Sequence, residues 1–529
     1  MKKRIADRRQ GMILPPSIDE YVGPGHRVRV IVEVVESLDL SGFHVGQSED
    51  GRPAYPPEIL VSLLLYSFSI GVFSAREMER RCRSDCVFMF ATAGERLSHR
   101  TISRFRAAHQ EALSELFAKI VQVCRRAGLG DTGRLVIDGT RQHANASMDA
   151  HVRKEQLEGE HEQIRKDIDK LLSRAAEIDA AEDAAPPSDE GSSAPESMDR
   201  KERKRAIAEA VKEVEGAAAE SSPAEEEKEA KREVPSEEKL SSEEKGILEE
   251  KRKQKKRIET KLKELEERGA VEANETDPEA RLQRFKKGPR PGYNAQIGVT
   301  GKAGLIVAAD VTQDPVDMRQ LIPMCDQARE NTGAEPNVVA ADAGYESGEN
   351  FSKLAARGQD AVIASSCLKT AHREREKTGL YQWVDFDYDA ERDEYVCPAG
   401  RRLVRDQKVR DPKAFYVATV SCEGCPLKNG CTTTKRRRLN LRSTSRFLLA
   451  MSKRREQDRR TDRFGARRKG DVESVFGHMK HNLRWRQFVR RGLAACRSEF
   501  RILCAAINLA KLARMLATKA LGVAQALPV

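Results

Sequence analysis

Three acidic residues stand where a carboxylate could hold a divalent metal ion. Asp138 ends the apolar run RLVID, and Asp342 ends the apolar run NVVAAD. Glu473 is the single acid in the strongly basic stretch of residues 472–492, VESVFGHMKHNLRWRQFVRRG. Catalytic groups collect at the carboxyl ends of strands in α/β sheets, because the rigid sheet fixes a side chain there while the chain turns outward. The simpler alternative for each aspartate is a cap of the following turn.

Converging carboxylates would repel each other unless divalent cations neutralised them. Oxygen ligands alone select Mg²⁺ or Mn²⁺. Two such ions about 4 Å apart can activate a water or a 3′-hydroxyl and stabilise the leaving oxygen of a phosphoryl transfer. This chemistry would explain the acid at 473, since the cations beside it would hold nucleic-acid phosphates. A surface ion pair is the alternative, although it contributes only about 0–1 kcal/mol and requires no special placement.

The stretch around Glu473 has the apolar spacing of a helix. Five residues at this spacing define a buried face, namely Val472, Val475, Phe476, Met479 and Leu483. On a continuous helix, Glu473, Lys480 and Arg484 would share a neighbouring stripe. Gly477 lies between them, where a missing side chain would allow a ligand to approach closely.

Four of the eleven cysteines form a cluster with the spacing C-x24-C-x2-C-x5-C, and they are Cys397, Cys422, Cys425 and Cys431. The N-terminus has no apolar segment of a secretory signal, so disulfides are not expected. A CxxC pair with two further cysteines nearby suits tetrahedral Zn²⁺, which predicts a structural zinc site. The alternative is a set of reduced thiols in a small subdomain.

The composition favours a polyanionic partner. The 529 residues carry a net charge of +11 with a pI near 9.0, and residues 435–469 contain fifteen Lys or Arg against three acids. The longest apolar run, residues 59–73, is shorter than a membrane span and follows a Pro-Pro-Glu helix start, which predicts a buried helix. We therefore expect a cytoplasmic, nucleoid-associated protein without a membrane partner.

The elements that must position the acids follow from hydrophobic periodicity. From residue 130 onward the order is strand, insert, then β-β-α-β-α-β, which predicts a mixed α/β sheet.

In the N-terminal part, LSHRTISRFRAAHQ could be a DNA-facing helix with Arg100, Arg104 and Arg106 near each other, or an ordinary basic amphipathic helix. The predicted segments are a helical N-terminal domain with candidate DNA binding (1–125), the first core strand (130–149), a charged coiled-coil-like helical hairpin or disordered insert (150–283), the continued core (284–370), a Cys-rich insert (371–440), and a basic segment with the glutamate helix and a last helix (441–529).

In this order, VIDGTRQHANAS around Asp138, ADAGYES around Asp342 and VESVFGHMKHN around Glu473 resemble the DDE transposases of bacterial insertion sequences, in the large insertion-sequence-five superfamily. GYNAQ at 292–296, CPAG and CEGCPLKNGC are also similar to that group. The resemblance covers nearly the whole chain. Upstream of Glu473 the chain departs from the family pattern, with Ala466 at the place of a tyrosine and Lys469 at the place of an arginine.

The resemblance implies an RNase H-like core in which Asp138, Asp342 and Glu473 are catalytic and bind two Mg²⁺ ions, with Mn²⁺ as a substitute. It implies a transposase that cleaves double-stranded DNA at the terminal inverted repeats of its element and joins it to target DNA, as a homodimer. The expected DNA contacts are Lys480, Arg484, Arg467, Arg468 and Lys469. The alternatives are a non-enzymatic, zinc-containing DNA-binding protein and an inactive or domesticated relative with the same core.

Overall fold

The structure is a computed structural model that describes residues 17–43, 54–130, 133–183, 241–267, 269, 271–300, 304–363, 367–410, 413–442, 444–457 and 470–526. The chain forms two compact units, of which one comprises Met1–His151 with Ala273–Val529 and the other comprises Val152–Glu272. The mixed α/β architecture predicted from the sequence is confirmed, since the first unit contains a mixed sheet among many helices.

Helices make up the described residues before the sheet: α1 (Arg27–Glu36), α2 (Pro57–Ser69), α3 (Ala75–Ser84), α4 (Cys86–Ala91), α5 (His99–Ala108) and α6 (Gln110–Arg126). Helix α2 begins with a proline, whose missing N–H would have no partner in a first turn. Its residues 60–69 are all buried, so the apolar run is a buried helix as predicted. In the described part of the chain, no helix has the length and apolarity that a membrane span requires.

The strands of the first half are β1 (Arg134–His143), β2 (His151–Arg153), β3 (Glu272–Asn274), β4 (Arg281–Phe285), β5 (Gly288–Thr300), β6 (Leu305–Thr312), β7 (Val338–Ala341) and β8 (Asp360–Ile363). Strand β5 lies between β1 and β6 and is antiparallel to both, and β4 pairs with its first half. Strands β7 and β8 continue the sheet beyond β1 and are parallel to it. Strands β2 and β3 pair with each other.

The position of Asp138 differs from the prediction. Strand β1 does not end at Asp138 but continues to His143, because its antiparallel ladder with β5 extends that far. The parallel ladder with β7 is shorter and covers only the first three residues of β1, as far as Val136. Asp138 therefore lies inside its strand, just beyond the point where β1 loses one of its two neighbours.

The charged unit is a helical hairpin formed by α7 (Lys154–Asp183) and α8 (Ser242–Glu267). The helices are antiparallel, because Lys154 pairs with Glu266 at 3.0 Å and Asp167 pairs with Lys251 at 2.9 Å. Sparse apolar residues form the buried seam, namely Leu157, Ile164, Ile168, Leu248, Ile258 and Leu265. Residues 184–240, between the two helices, lie outside the described residues, so the alternative of a disordered insert is not tested there.

The later elements are helices α9 (Leu321–Thr332), α10 (Gly348–Ala356) and α11 (Cys367–Thr378), strands β9 (Asp387–Asp389), β10 (Glu394–Val396), β11 (Arg402–Arg405), β12 (Lys413–Ala418) and β13 (Arg438–Arg442), and helices α12 (Ser445–Gln457), α13 (470–477) and α14 (Leu493–Ala526). Strands β9–β13 form a separate antiparallel sheet in chain order, which holds the cysteine cluster. Helix α14 packs against α2, α6 and β6, so the last helix covers both the N-terminal helices and the central sheet.

A buried ion pair joins α5 to α14. Arg106, one of the three arginines of the candidate DNA-facing helix, is buried and lies 3.3 Å from the fully buried Glu499. Arg100 and Arg104 remain exposed. The carboxylate of Glu499 also accepts backbone hydrogen bonds from Val489 and Arg490, at 3.0 and 3.1 Å, so it holds the chain between α13 and α14.

Replacing Glu499 with alanine would leave the Arg106 guanidinium and two backbone N–H groups buried without this acceptor. We expect Glu499→Ala to lower the free energy of unfolding by about 3–5 kcal/mol, the usual effect of removing one partner of a buried pair. Urea unfolding would measure it. The matched control is Glu349→Ala, since Glu349 is exposed and pairs only along one helix turn with Lys353. Its effect should stay within about 0.5 kcal/mol.

Candidate active site

Asp138 and Asp342, called here the aspartate pair, lie at the centre of the six-stranded sheet. If the parallel ladder of β1 and β7 is continued by two residues, Asp138 is level with Asp342. Both side chains are partly exposed, and one oxygen of each accepts a backbone hydrogen bond at 2.8 Å, from Gly139 N and Gly344 N respectively. The two carboxylates are therefore fixed by the backbone that follows them and remain reachable from solvent.

Two contacts dock the glutamate helix onto β1. Arg134, at the start of the strand, forms an ion pair with Asp471 at the start of α13. The ammonium group of Lys480, beyond the other end of α13, donates to the hydroxyl of Thr140. Side chains alternate along a strand, so Arg134, Asp138 and Thr140 share one face of β1. The helix that carries the glutamate thus crosses the face from which Asp138 projects.

The structure shows no contact between the side chain of Glu473 and the aspartate pair. Its side chain is exposed, and in the described part of the chain no group of three or more His, Cys, Asp or Glu residues is arranged to hold a metal ion. The structure therefore places two of the three predicted acids at equivalent points of neighbouring strands. For the third, it shows that the helix contacts β1 but not that the carboxylate reaches the pair.

The glutamate helix changes its winding after Gly477. Residues His478–Asn482 form a π-helical turn, in which Leu483 N donates to His478 O at 2.9 Å. The predicted buried face is confirmed, since its five apolar residues are at most 9% exposed. The prediction that the stripe of Glu473 and Lys480 continues to Arg484 is wrong. Arg484 lies beyond the helix with a left-handed φ of 58°, and a π-turn adds a residue that changes which side chains share a face.

A further carboxylate, Asp317, binds three side chains from β1 and β5. Arg141 donates to it at 2.9 Å, Asn294 at 2.6 Å and Gln296 at 2.8 Å. The side chain of Asp317 is only 14% exposed. Arg141 projects from the face of β1 opposite to that of Asp138. This group, called here the Asp317 network, therefore supports β1 from the face opposite to Asp138. The Asp317 carboxylate also lies beside the turn after Asp342, since a Cβ at Gly344 would be 3.0 Å from Asp342 Oδ1 and 3.3 Å from Asp317 Oδ2.

Tyr345 links the Asp317 network to the turn that follows Asp342. Its fully buried hydroxyl donates to the side-chain oxygen of Gln296. Burial raises the pKa of Tyr345 well above its usual value, and the carboxylates of Asp317 and the aspartate pair raise it further, so the hydroxyl stays protonated. Asn350 donates to the backbone oxygens of Tyr345 and Met318, at 2.8 and 2.7 Å, which fixes this turn to the segment that follows Asp317.

The sequence interpretation did not identify the Asp317 network. One signal was available, because YNAQIGVT places Asn294 and Gln296 at alternate positions of a strand whose neighbours are apolar. A buried amide needs hydrogen-bond partners, so two of them on one face predict a polar group opposite. Asp317 carries no comparable signal, since it follows a turn in the sequence QDPVD and contacts the strands only through the tertiary fold.

The predicted DNA contacts have different surroundings. Lys480 is partly buried against β1, and burial lowers the pKa of its ammonium group. Arg484 is exposed. Arg467, Arg468 and Lys469 lie outside the described residues, so their prediction is not tested.

The predicted zinc ligands meet at one place in the Cys-rich module. Cys397, Cys422, Cys425 and Cys431 line a single pocket, and none of them forms a disulfide. Burial raises the pKa of the Cys431 thiol; Arg437 lowers it, and the three other cysteines raise it. The cluster is remote in sequence from the aspartate pair, and the contacts described above do not involve it.

The close packing behind Asp138 can be tested with two glycines. A Cβ at Gly139 would collide with the side chain of Gln296 and lie 2.9 Å from Asp317, whereas a Cβ at Gly477 would meet nothing within 4 Å. We expect Gly139→Ala to destabilise the protein by about 1–3 kcal/mol. Gly477→Ala should stabilise it by about 0.5–1 kcal/mol, because alanine favours the helical backbone. Thermal unfolding of both variants measures the contrast, and equal effects would contradict the packing described here.

Comparison with known families adds two matches. Residues 16–108, which include α1–α5, match the family model described as Transposase domain (DUF772), and residues 396–513, which include Glu473, match that of the Transposase DDE domain. No curated protein and no solved structure matches the chain. The predicted resemblance is confirmed: the chain carries two transposase domain matches that are typical of insertion-sequence transposases.

Proposed function

We propose that the protein is a transposase that cleaves DNA at the terminal inverted repeats of its element and transfers the freed 3′ end into target DNA. The observation that supports it most directly is the aspartate pair, two reachable carboxylates level with each other at the centre of a mixed sheet. In this proposal the sheet, with β1 central and β5 and β6 antiparallel to it, is an RNase H-like core. Asp138, Asp342 and Glu473 are its catalytic acids.

The donor set at the aspartate pair fits a hard divalent cation. The available ligand atoms are carboxylate oxygens, which Mg²⁺ and Mn²⁺ prefer. Each aspartate has one oxygen bonded to a backbone N–H, an arrangement that fixes the orientation of a carboxylate. Asp138, Asp342 and Glu473 would hold two ions, and a bound pair would activate the attacking oxygen and stabilise the leaving oxygen.

The chain's own residues have supporting tasks in this proposal. The Asp317 network keeps β1 and the turn after Asp342 in fixed positions, which sets the separation of the aspartate pair. The ion pair of Arg134 with Asp471 and the hydrogen bond of Lys480 to Thr140 keep the glutamate helix on the face of Asp138. Glu473 is exposed in this structure, so the proposal requires its carboxylate to move to the aspartate pair when metal ions bind.

DNA phosphates would be bound by cations on both sides of Glu473. Lys480 presents its charge two residues beyond Asp138, where it could contact a phosphate near the reacting bond. Arg484 is exposed and would contact the backbone further away, and Arg467, Arg468 and Lys469 precede the glutamate in sequence. Transposition requires two DNA ends in one complex, so a homodimer is the expected active form.

The acids can be tested with labelled DNA that contains the inverted repeats flanking the gene. In Mg²⁺ or Mn²⁺, the protein should cleave at the repeat ends, and chelation should stop it. Changing a group that only orients a metal ligand typically reduces metal affinity or activity by roughly 10–100-fold, and changing the ligand itself should have a larger effect. We therefore expect Asp138→Asn, Asp342→Asn and Glu473→Gln each to reduce cleavage by more than about 100-fold. Binding of the repeats should persist in all three variants.

The matched control for these variants is Glu349→Gln, an exposed acid on α10 that should leave cleavage unchanged. Unchanged cleavage by Glu473→Gln would remove Glu473 from the active site. Salt-sensitive, chelator-resistant binding without any cleavage by the unaltered protein would instead favour a non-enzymatic DNA-binding protein or an inactive relative.

Arg484 and Lys480 should affect DNA binding differently. Each phosphate contact contributes about one unit to the slope of log affinity against log salt concentration. We expect Arg484→Ala to reduce this slope by about 1 without a selective loss of cleavage. Lys480→Met should reduce cleavage more than binding, because Lys480 is partly buried and donates to Thr140, which lies on the same face of β1 as Asp138. If both variants lost DNA binding and cleavage to the same extent, the separate roles assigned to Arg484 and Lys480 would be contradicted.

A further inference from the structure

The cysteine pocket lies within a loop that has little structure of its own. Between the end of β12 at Ala418 and the start of β13 at Arg438, the described chain forms no strand and only one 3₁₀ turn, Lys428–Gly430. Three of the four cysteines lie in this segment, and Cys397 reaches it from the turn between β10 and β11. Ordered loops of more than about 12–15 residues are uncommon without an added constraint.

Apolar packing in this module is limited. Among the residues that the structure describes, its buried cluster comprises twelve, and two of them are Cys422 and Cys431. Small modules with few buried apolar side chains usually require disulfides or a structural metal. The four thiols here are free, so disulfides do not supply the constraint.

Backbone donors already point at two of the sulfurs. Arg401 N lies 3.3 Å from the sulfur of Cys397, and Arg437 N lies 3.3 Å from that of Cys422. Such N–H groups stabilise a negatively charged sulfur, which is the form that binds a metal. Arg437 also donates to the backbone oxygens of Cys431 and Tyr381, at 2.8 and 2.9 Å, which brings the end of the loop back to the pocket.

We infer that Cys397, Cys422, Cys425 and Cys431 bind one structural Zn²⁺ ion that fixes the β12–β13 loop. Four thiolates around one pocket form the donor set of a closed tetrahedral site, with no ligand position left for chemistry. In the described part of the chain, the sulfur atoms of the four cysteines are not arranged as metal ligands. Zinc binding would therefore require the cysteine side chains to change position. This inference does not depend on the proposed transposase activity.

The test uses the full-length protein purified without added chelator. Metal analysis should give about one zinc per chain, and replacement by Co²⁺ should produce the absorption bands of a tetrahedral thiolate site. Removal of zinc should lower the midpoint of thermal unfolding and expose four additional thiols to a thiol reagent. Added Zn²⁺, but not Mg²⁺, should reverse both changes.

Cys422→Ser and Cys425→Ser should each lose the zinc, whereas the control Cys86→Ser, at an exposed cysteine outside the module, should keep it. If a serine variant fails to fold, the chelation and cobalt measurements on the unaltered protein still decide. Absence of stoichiometric zinc together with no cobalt bands would overturn the inference. A disulfide between two of the four cysteines in the purified protein would also overturn it.

Discussion

The hydrogen bonds to Asp317 are the constraint on which the centre of the molecule depends. A carboxylate that is only 14% exposed needs partners, and here they come from Arg141 on β1 and two amides on β5. These bonds fix the relative position of two strands and of the segment before α9. Because Tyr345 donates to Gln296, the turn after Asp342 is fixed by the same group. The geometry of the aspartate pair therefore depends on the Asp317 network, which contacts both β1 and the turn after Asp342.

A second set of contacts connects distant parts of the chain to this centre. Glu499 binds Arg106 from the N-terminal helices and the backbone between α13 and α14. Lys480 and Arg134 fasten the glutamate helix to β1. The helix of Glu473 is thus held at its own ends and also by the segment that follows it. A movement of Glu473 toward the aspartate pair would have to occur within these limits.

The sequence predicted the parts of the site that are encoded locally. Apolar runs that end in an acid located Asp138 and Asp342, and helical spacing located the buried face around Glu473. The extent of β1, the π-turn and the burial of Arg106 were not predictable, because each depends on a partner distant in sequence. A strand continues as far as its neighbour pairs with it, and an arginine is buried only when a carboxylate such as that of Glu499 meets it. Asp317 was missed for the same reason.

The antiparallel arrangement of α7 and α8 has a consequence for how this chain can vary. The hairpin begins and ends at neighbouring points, since Lys154 contacts Glu266 and its backbone N–H donates to Val271 O at 2.9 Å. Its length can therefore change without altering the distance between the points where the chain leaves and returns. The entropic cost of closing a loop grows only slowly with its length. Insertions and deletions in the hairpin should therefore be tolerated in evolution, even though they change the number of residues between Asp138 and Asp342.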